Sequence, residues 1–255
     1  MKQITASVVS NHEVMPGVYL IWLESPQIAS AARPGQFIMV RCGEETLLRR
    51  PLSIHQLADG FKLALLFNVV GKGTHWLAKY QAGDNIDLLG PLGNSYSIHP
   101  ESNKLLLLAG GIGIAPLYSL AQEASRNGYS VKLLYGGSTA TQLYPNHLLP
   151  SGIELTLVTE DGTAGKKGVV TDLLLDFAGW ADQIFACGPI SMYKTMAQIP
   201  ELKEKPVQVS LEVRMGCGRG ICYGCTVKTK QGLKQVCQDG PVFNLDDIHW
   251  DDPIL

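Results

Sequence analysis

The chain has 255 residues, with 21 Lys plus Arg against 23 Asp plus Glu and a formal net charge of -2, a balance that does not make nucleic acid the default partner. Charged residues make up 17% and hydrophobic residues 45%, against roughly 25% charged in an average soluble protein, so the chain is globular and somewhat apolar. Its 27 Gly and 14 Pro fall short of collagen or low complexity, and at about 150 residues per domain its length suits two domains that need no metal merely to fold.

From Met1 to Val18 there is no apolar run of signal-peptide length, and Glu13 and Pro16 interrupt the stretch, so a cytoplasmic location is expected. Up to residue 99 short apolar runs are cut by turn pairs such as Pro16-Gly17, Pro34-Gly35, Asp59-Gly60, Gly83-Asp84 and Gly90-Pro91. That rhythm predicts strands over Ile4–Val9, Val18–Leu23, Phe37–Arg41, Leu52–Leu57, Phe61–Val70 and Asn85–Leu89, six antiparallel strands for a small barrel with no helix required.

Two loops in this part have chemical promise. Arg49, Arg50, Pro51, Leu52 and Ser53 open a predicted strand, where a guanidinium can bind a diphosphate and a hydroxyl can face a flavin edge. The plain alternative is two surface arginines before an ordinary strand. Gly71-Lys72-Gly73-Thr74 follows another strand and offers N–H groups and a hydroxyl to phosphate; it also reads as a glycine turn into a short helix.

From Leu105 the period changes from 2 to 3.6. Leu105–Ala109 reads as a buried strand, and Leu117, Leu120, Ala121 and Ala124 as a helical stripe. The uncharged run Leu105–Gln122 has Gly110, Gly111, Gly113 and Pro116 at its centre, so it predicts strand, turn and helix rather than a membrane span. Further strands are expected at Val131–Tyr135, Ile153–Thr159 and Gln183–Ala186. Helices are expected through Val170, Leu173, Leu174 and Phe177, and more weakly through Met192, Met196 and Ile199.

Alternating strands and helices imply a parallel sheet, a layout that binds nucleotides at the carboxyl ends of its strands. The turn at Gly110, Gly111 and Gly113 stands where backbone amides meet a pyrophosphate, though it lacks the G-x-G-x-x-G spacing and a purely structural turn is the other reading. Cys187-Gly188-Pro189 ends a later strand where a nicotinamide would lie, and a merely packed cysteine fits that position equally. Thr159 to Gly162 lie at another strand end. The six histidines are scattered without ligand spacing, and no catalytic acid or base is expected.

Four of six cysteines fall late in the chain. Cys217, Cys222 and Cys225 are spaced C-x4-C-x2-C, with Cys237 following, the plant-type ligand pattern of a 2Fe-2S cluster. Gly216, Gly218, Gly220 and Gly224 between and beside them let backbone N–H groups turn toward sulfur. A four-cysteine zinc site is the alternative, although zinc favours two separated C-x2-C pairs. The chain thus divides into 1–99, a barrel, 100–210, an α/β domain, and 211–255, a cysteine segment.

In combination, Arg50-Pro51-Leu52-Ser53, Gly71-Lys72-Gly73-Thr74, the Gly110–Pro116 turn, Cys187-Gly188-Pro189 and the late cysteines resemble the ferredoxin-NADP reductase superfamily over nearly the whole chain. The arrangement is most similar to the electron-transfer subunits of dihydroorotate dehydrogenase B, which carry a 2Fe-2S segment after the nucleotide domain and end in a run like Cys237–Phe243.

The resemblance implies that FAD sits between the domains on Arg50 to Ser53, on Phe67, Asn68 and Val69, and on Gly73 with Thr74. It implies NAD approaching from the second domain and iron on the four cysteines. It also implies a separate FMN-containing catalytic subunit that makes orotate, in a two-plus-two heterotetramer with no membrane and no nucleic acid. Leu52 departs from the superfamily, which carries an aromatic residue on the flavin there. Residues 136–141 hold no Arg or Lys to pair a 2'-phosphate, which favours NAD over NADP. The rival readings are a diaphorase subunit of another redox complex, such as a hydrogenase or a ferredoxin-linked reductase, and a zinc-stabilised interaction module.

Overall fold

Short apolar runs separated by tight turns close the first part of the chain into an antiparallel barrel. In the computed structural model, which describes residues 1–43 and 46–251, its elements are β1 (Lys2–Met15), β2 (Val18–Glu24), α1 (Pro26–Ala29), β3 (Phe37–Val40), β4 (Arg50–Ala58), β5 (Lys62–Asn68), α2 (Lys72–Leu77) and β6 (Asn85–Leu92). The strands close in the order β1-β2-β5-β4-β3-β6. Asp59 and Gly60 both take positive φ, 54° and 68°, which a tight hairpin with the sheet's own twist requires. Ile38, Val40, Ile54, Leu63, Leu65, Ile86 and Leu88 fill the interior.

The two short helices correct the all-strand expectation. Pro26 stands in the first turn of α1, where its missing N–H costs nothing. At α2 the Thr74 hydroxyl accepts from the N–H groups of Val70 (2.9 Å) and Gly71 (3.2 Å), donors that would otherwise lack partners.

Next come β7 (Lys104–Gly110), α3 (Ile114–Arg126), β8 (Ser130–Gly137), β9 (Ile153–Thr159), β10 (Lys166–Lys167), α4 (Leu174–Ala178), β11 (Gln183–Cys187), α5 (Ile190–Ala197) and β12 (Val207–Ser210). The last part adds β13 (Thr226–Thr229), β14 (Gly232–Gln235), α6 (Val236–Asp239) and β15 (Val242–Asn244). A seven-stranded sheet runs β10-β9-β8-β7-β11-β12-β15, parallel except for β15, which pairs antiparallel with β12. Its inner strand β7 is apolar on both faces. Leu105 and Leu107 pack with α3, whereas Leu106 and Leu108 pack with α4 and α5 residues, as period-2 side chains in a twice-covered sheet must.

The terminal segment anchors on this sheet through Val227, Val236, Leu245, Ile248 and Trp250. β10, β12 and β15 were not foreseen from the sequence, and the helix through Val170 begins as a 3-10 turn. Among the described residues no helix is long and apolar enough to cross a membrane.

A buried histidine joins barrel to sheet. His55 on β4 is fully buried; its Nδ1–H donates to the Ala115 carbonyl at 3.0 Å, and Nε2 accepts from the Tyr144 hydroxyl at 3.3 Å. Burial pushes its pKa from 6.5 down to about 4, against the opposing pull of the Ala115 bond.

Below about pH 6.5 the unfolded chain therefore takes up a proton that the folded one refuses, so stability should fall as pH drops toward 4 and be intact above 6.5. The loss is on the order of 3 kcal/mol. Melting temperatures of wild type and His55→Gln between pH 7 and 5 check this. The variant's curve should be flatter, and parallel curves would remove His55 as the cause.

Candidate functional site

A cleft of about 1460 Å³ runs between the barrel and the carboxyl ends of the parallel strands, the position where open α/β sheets take their ligands. It brings together Arg50, Pro51, Leu52 and Ser53 of β4, Phe67 and Asn68 of β5, Thr74 of α2, Gly110, Gly111 and Gly113 of the turn after β7, and Cys187 of β11. Val69 and Gly73 stand behind this lining. Val69 packs on the barrel core, and Gly73 lies under Arg50, whose Nε would be 3.0 Å from a Cβ there.

The two arginines have different partners. Arg49 is committed to Asp87, with 2.7 Å from Nη2 to the carboxylate and 3.2 Å from Nη1 to the main-chain carbonyl. Arg50 bonds its own loop alone among the described residues, donating to the Leu48 carbonyl at 2.7 Å and the Arg49 carbonyl at 3.5 Å. Among the described residues no carboxylate pairs with it. A guanidinium at a cleft wall with no counter-charge among the described residues suits a diphosphate, so the residues fit a flavin dinucleotide. Phe37, Leu52, Leu66 and Phe67 add apolar wall.

Across the cleft, the glycine turn and the Cys187 loop touch. A Cβ on Gly113 would collide with the Cys187 carbonyl, and one on Gly110 would lie 2.9 Å from Pro189 Cδ. Gly111, at φ +54°, has open space beside it. Gly113→Ala should therefore displace the Cys187 loop, cost about 1–3 kcal/mol of stability and weaken NADH binding, measured by thermal melts and titration; wild-type values in both would show that the contact yields freely.

The Cys187 thiol is held neutral, its pKa pushed to about 12 by burial and then by Glu212. Ser138 donates to the Glu160 carboxylate at 2.9 Å, and both line the cleft on the side of the parallel sheet.

The sequence reading missed Leu211 to Met215 and Pro241, which line the cleft from the terminal segment. Their signal is the position of Leu211 just past β12, at the carboxyl edge of the sheet.

The four late cysteines lie in one loop system, all free. Cys217 Sγ accepts from the N–H groups of Arg219 (3.3 Å) and Ile221 (3.4 Å), Cys237 Sγ from Gly220 (3.2 Å), and Cys225 Sγ from Cys237 (3.4 Å). Burial opposes ionisation of Cys217, yet N–H bonds from Arg219, Cys222 and Ile221 outweigh it and bring the thiol down to about 6. The buried amide nitrogen of Gln235 has no partner among the described residues, and this side chain stands beside Gly220.

Donors aimed at sulfur, and one spare, fit thiolates that bind a sulfide-bridged cluster. Among the described residues no group of three His, Cys, Asp or Glu side chains is drawn together tightly enough to hold a metal ion.

Family comparison agrees with both halves of this geometry. Residues 212–249 match the iron-sulfur cluster binding domain of dihydroorotate dehydrogenase B, and residues 107–198 match the oxidoreductase NAD-binding domain. Curated relatives named dihydroorotate dehydrogenase B (NAD(+)), electron transfer subunit, include one from Desulforamulus reducens, 37% identical, covering 98% of this chain and 99% of its own. Another, from Clostridium acetobutylicum, is 39% identical with 95% of each chain covered.

Among solved structures, an NADH-dependent reduced ferredoxin-NADP oxidoreductase described for flavin-based electron bifurcation superposes with a TM-score of 0.87. It is 32% identical, with 96% of this chain and 90% of that one covered. A ferredoxin reductase of carbazole 1,9a-dioxygenase shares the fold at a TM-score of 0.71 and 19% identity, over 82% of this chain and 68% of that one. With its cleft, its four-thiol loop and relatives along its whole length, the chain belongs to the family of dihydroorotate dehydrogenase B electron transfer subunits.

Proposed function

We propose that this chain conducts electrons between a dihydroorotate-oxidising subunit and NAD. It is an oxidoreductase subunit that uses FAD, a 2Fe-2S cluster and NAD, and it serves pyrimidine biosynthesis as the electron transfer subunit of an NAD-dependent dihydroorotate dehydrogenase. The observation that carries this reading is the presence on one chain of the interdomain cleft and the four-thiol loop, in a family that matches end to end. When bound, FAD trades a hydride with NAD and single electrons with the cluster, which makes it the converter between the two.

Placement along the cleft and in the cysteine loop supports the following residue roles. Arg50 holds the FAD diphosphate, with Gly73 and Thr74 shaping the loop beside it; Ser53 faces the ring edge, and Pro51, Leu52, Phe67, Asn68 and Val69 form or back the wall. Gly110, Gly111 and Gly113 admit the NAD diphosphate, and Cys187 presents a neutral thiol to the nicotinamide. Cys217, Cys222, Cys225 and Cys237 ligate iron.

Glu160 with Ser138 at the nucleotide end supports NAD, because a carboxylate repels a 2'-phosphate. These roles divide the chain functionally into 1–99 for FAD, 100–210 for NAD and 211–255 for the cluster. The partner is an FMN-containing catalytic subunit in a two-plus-two assembly in the cytoplasm. No side chain of this chain acts as acid or base.

One observation favours a second reading. The likeness to the bifurcating oxidoreductase suits a diaphorase subunit of a ferredoxin-linked complex. Anaerobic purification decides: the protein should be coloured, bleach on NADH, and bring with it an FMN protein that oxidises dihydroorotate. A ferredoxin-, nickel- or molybdenum-linked partner would transfer the assignment to the second reading, and colourless protein would end both.

A further inference from the structure

Asn94, two residues beyond β6, makes four hydrogen bonds to the chain just after Cys237. Its side-chain amide donates to the carbonyls of Asp239 (3.0 Å) and Val242 (2.7 Å), its Oδ1 accepts from the Val242 N–H (2.9 Å), and its own N–H donates to the Gly240 carbonyl (2.6 Å). Beside it, a Cβ on Gly93 would lie 2.6 Å from Pro241 Cδ and 3.0 Å from Phe37 Cε1, and both those residues line the cleft.

The cysteine loop touches the barrel at a second point. A Cβ on Gly218, next to Cys217, would be 2.6 Å from Met39 Cγ. Fully buried Met39 pairs across strands with Pro51 of the cleft wall. The loop that carries the thiols thus rests on the back of the flavin wall, and Asn94 fastens its returning end to the barrel.

We propose that Asn94 is a positioning residue for electron transfer between the cysteine loop and the flavin cleft, fixing their separation by tying residues 239–242 to the end of β6. This rests on the function proposed above. Electron transfer falls steeply with distance, so slack in this tie slows the step between the two centres without touching the nucleotide side, because the hydrogen bonds of Asn94 go to Asp239, Gly240 and Val242 and not to the glycine turn or the Cys187 loop.

The test is anaerobic rapid mixing of the full protein with NADH. NADH is oxidised to NAD, its hydride bringing two electrons to FAD; one of these reduces one ferric iron of the cluster while the other stays on the flavin. Flavin bleaching reports the first step, and the paramagnetic signal of the reduced cluster in freeze-quenched samples reports the second.

Asn94→Ala should keep FAD and iron content and the flavin-bleaching rate, yet slow cluster reduction roughly tenfold, equivalent to about 1.4 kcal/mol on the rate. Asn94→Asp keeps the acceptor for Val242 and loses both amide donors, so it should fall between. Unchanged cluster reduction in both variants, equal slowing of both steps, or loss of flavin or iron from both overturns the proposal. Wild-type protein lacking flavin or cluster colour would instead overturn the functional reading beneath it.

Discussion

Cys222→Ser should abolish the cluster signal while FAD stays bound and NADH-driven reduction of a dye continues. Cys222 is exposed in the loop and is not part of the cleft lining. Effects at separated sites without shared partners add to within about 0.5 kcal/mol, so FAD affinity should change by no more than about twofold. Iron content, visible absorbance and dye reduction on one preparation check this. Loss of flavin in step with iron would show that the thiol loop and the cleft are one cooperative unit.

Arg50→Ala should release FAD, and Arg49→Ala should not. A hydrogen bond to a charged group contributes about 1.5–3 kcal/mol, which puts the first variant's FAD dissociation constant roughly 10- to 100-fold above wild type. Arg49 is spent on Asp87, a pair whose side chains remain 20% and 26% exposed, so its removal should cost up to about 1 kcal/mol of stability with FAD retained. Flavin titration and melting curves on the two variants separate the effects. Comparable FAD loss in both would return Arg50 to the status of a surface arginine.

The barrel was legible because its turns are spelled in local chemistry, as at Asp59-Gly60, and because those turns cut the apolar sequence into strand-length runs. β7 and α3 were legible from a change of period around Gly110 to Gly113. The strands β10, β12 and β15 span two, four and three residues, too short to carry a period, and only their neighbours make them strands. Leu211 to Met215 reach the cleft because β12 delivers the chain to the sheet's carboxyl edge, which no local pattern encodes. The cysteine spacing announced its site outright. His55 did not, since its partner Tyr144 is 89 residues away and one histidine among six carries no signal until the fold brings that hydroxyl to it.

The knot of His55, Tyr118 and Tyr144 has a consequence for traffic through the cleft. Rings packed 4.5 and 5.2 Å from the imidazole weld the two walls together behind the space where nucleotides would enter. Jaws joined at their root resist a wide gape, so small adjustments at the rim are the expected way in for a nucleotide. A bulky analogue that requires a wide opening would be turned away, however well its head fitted the interior.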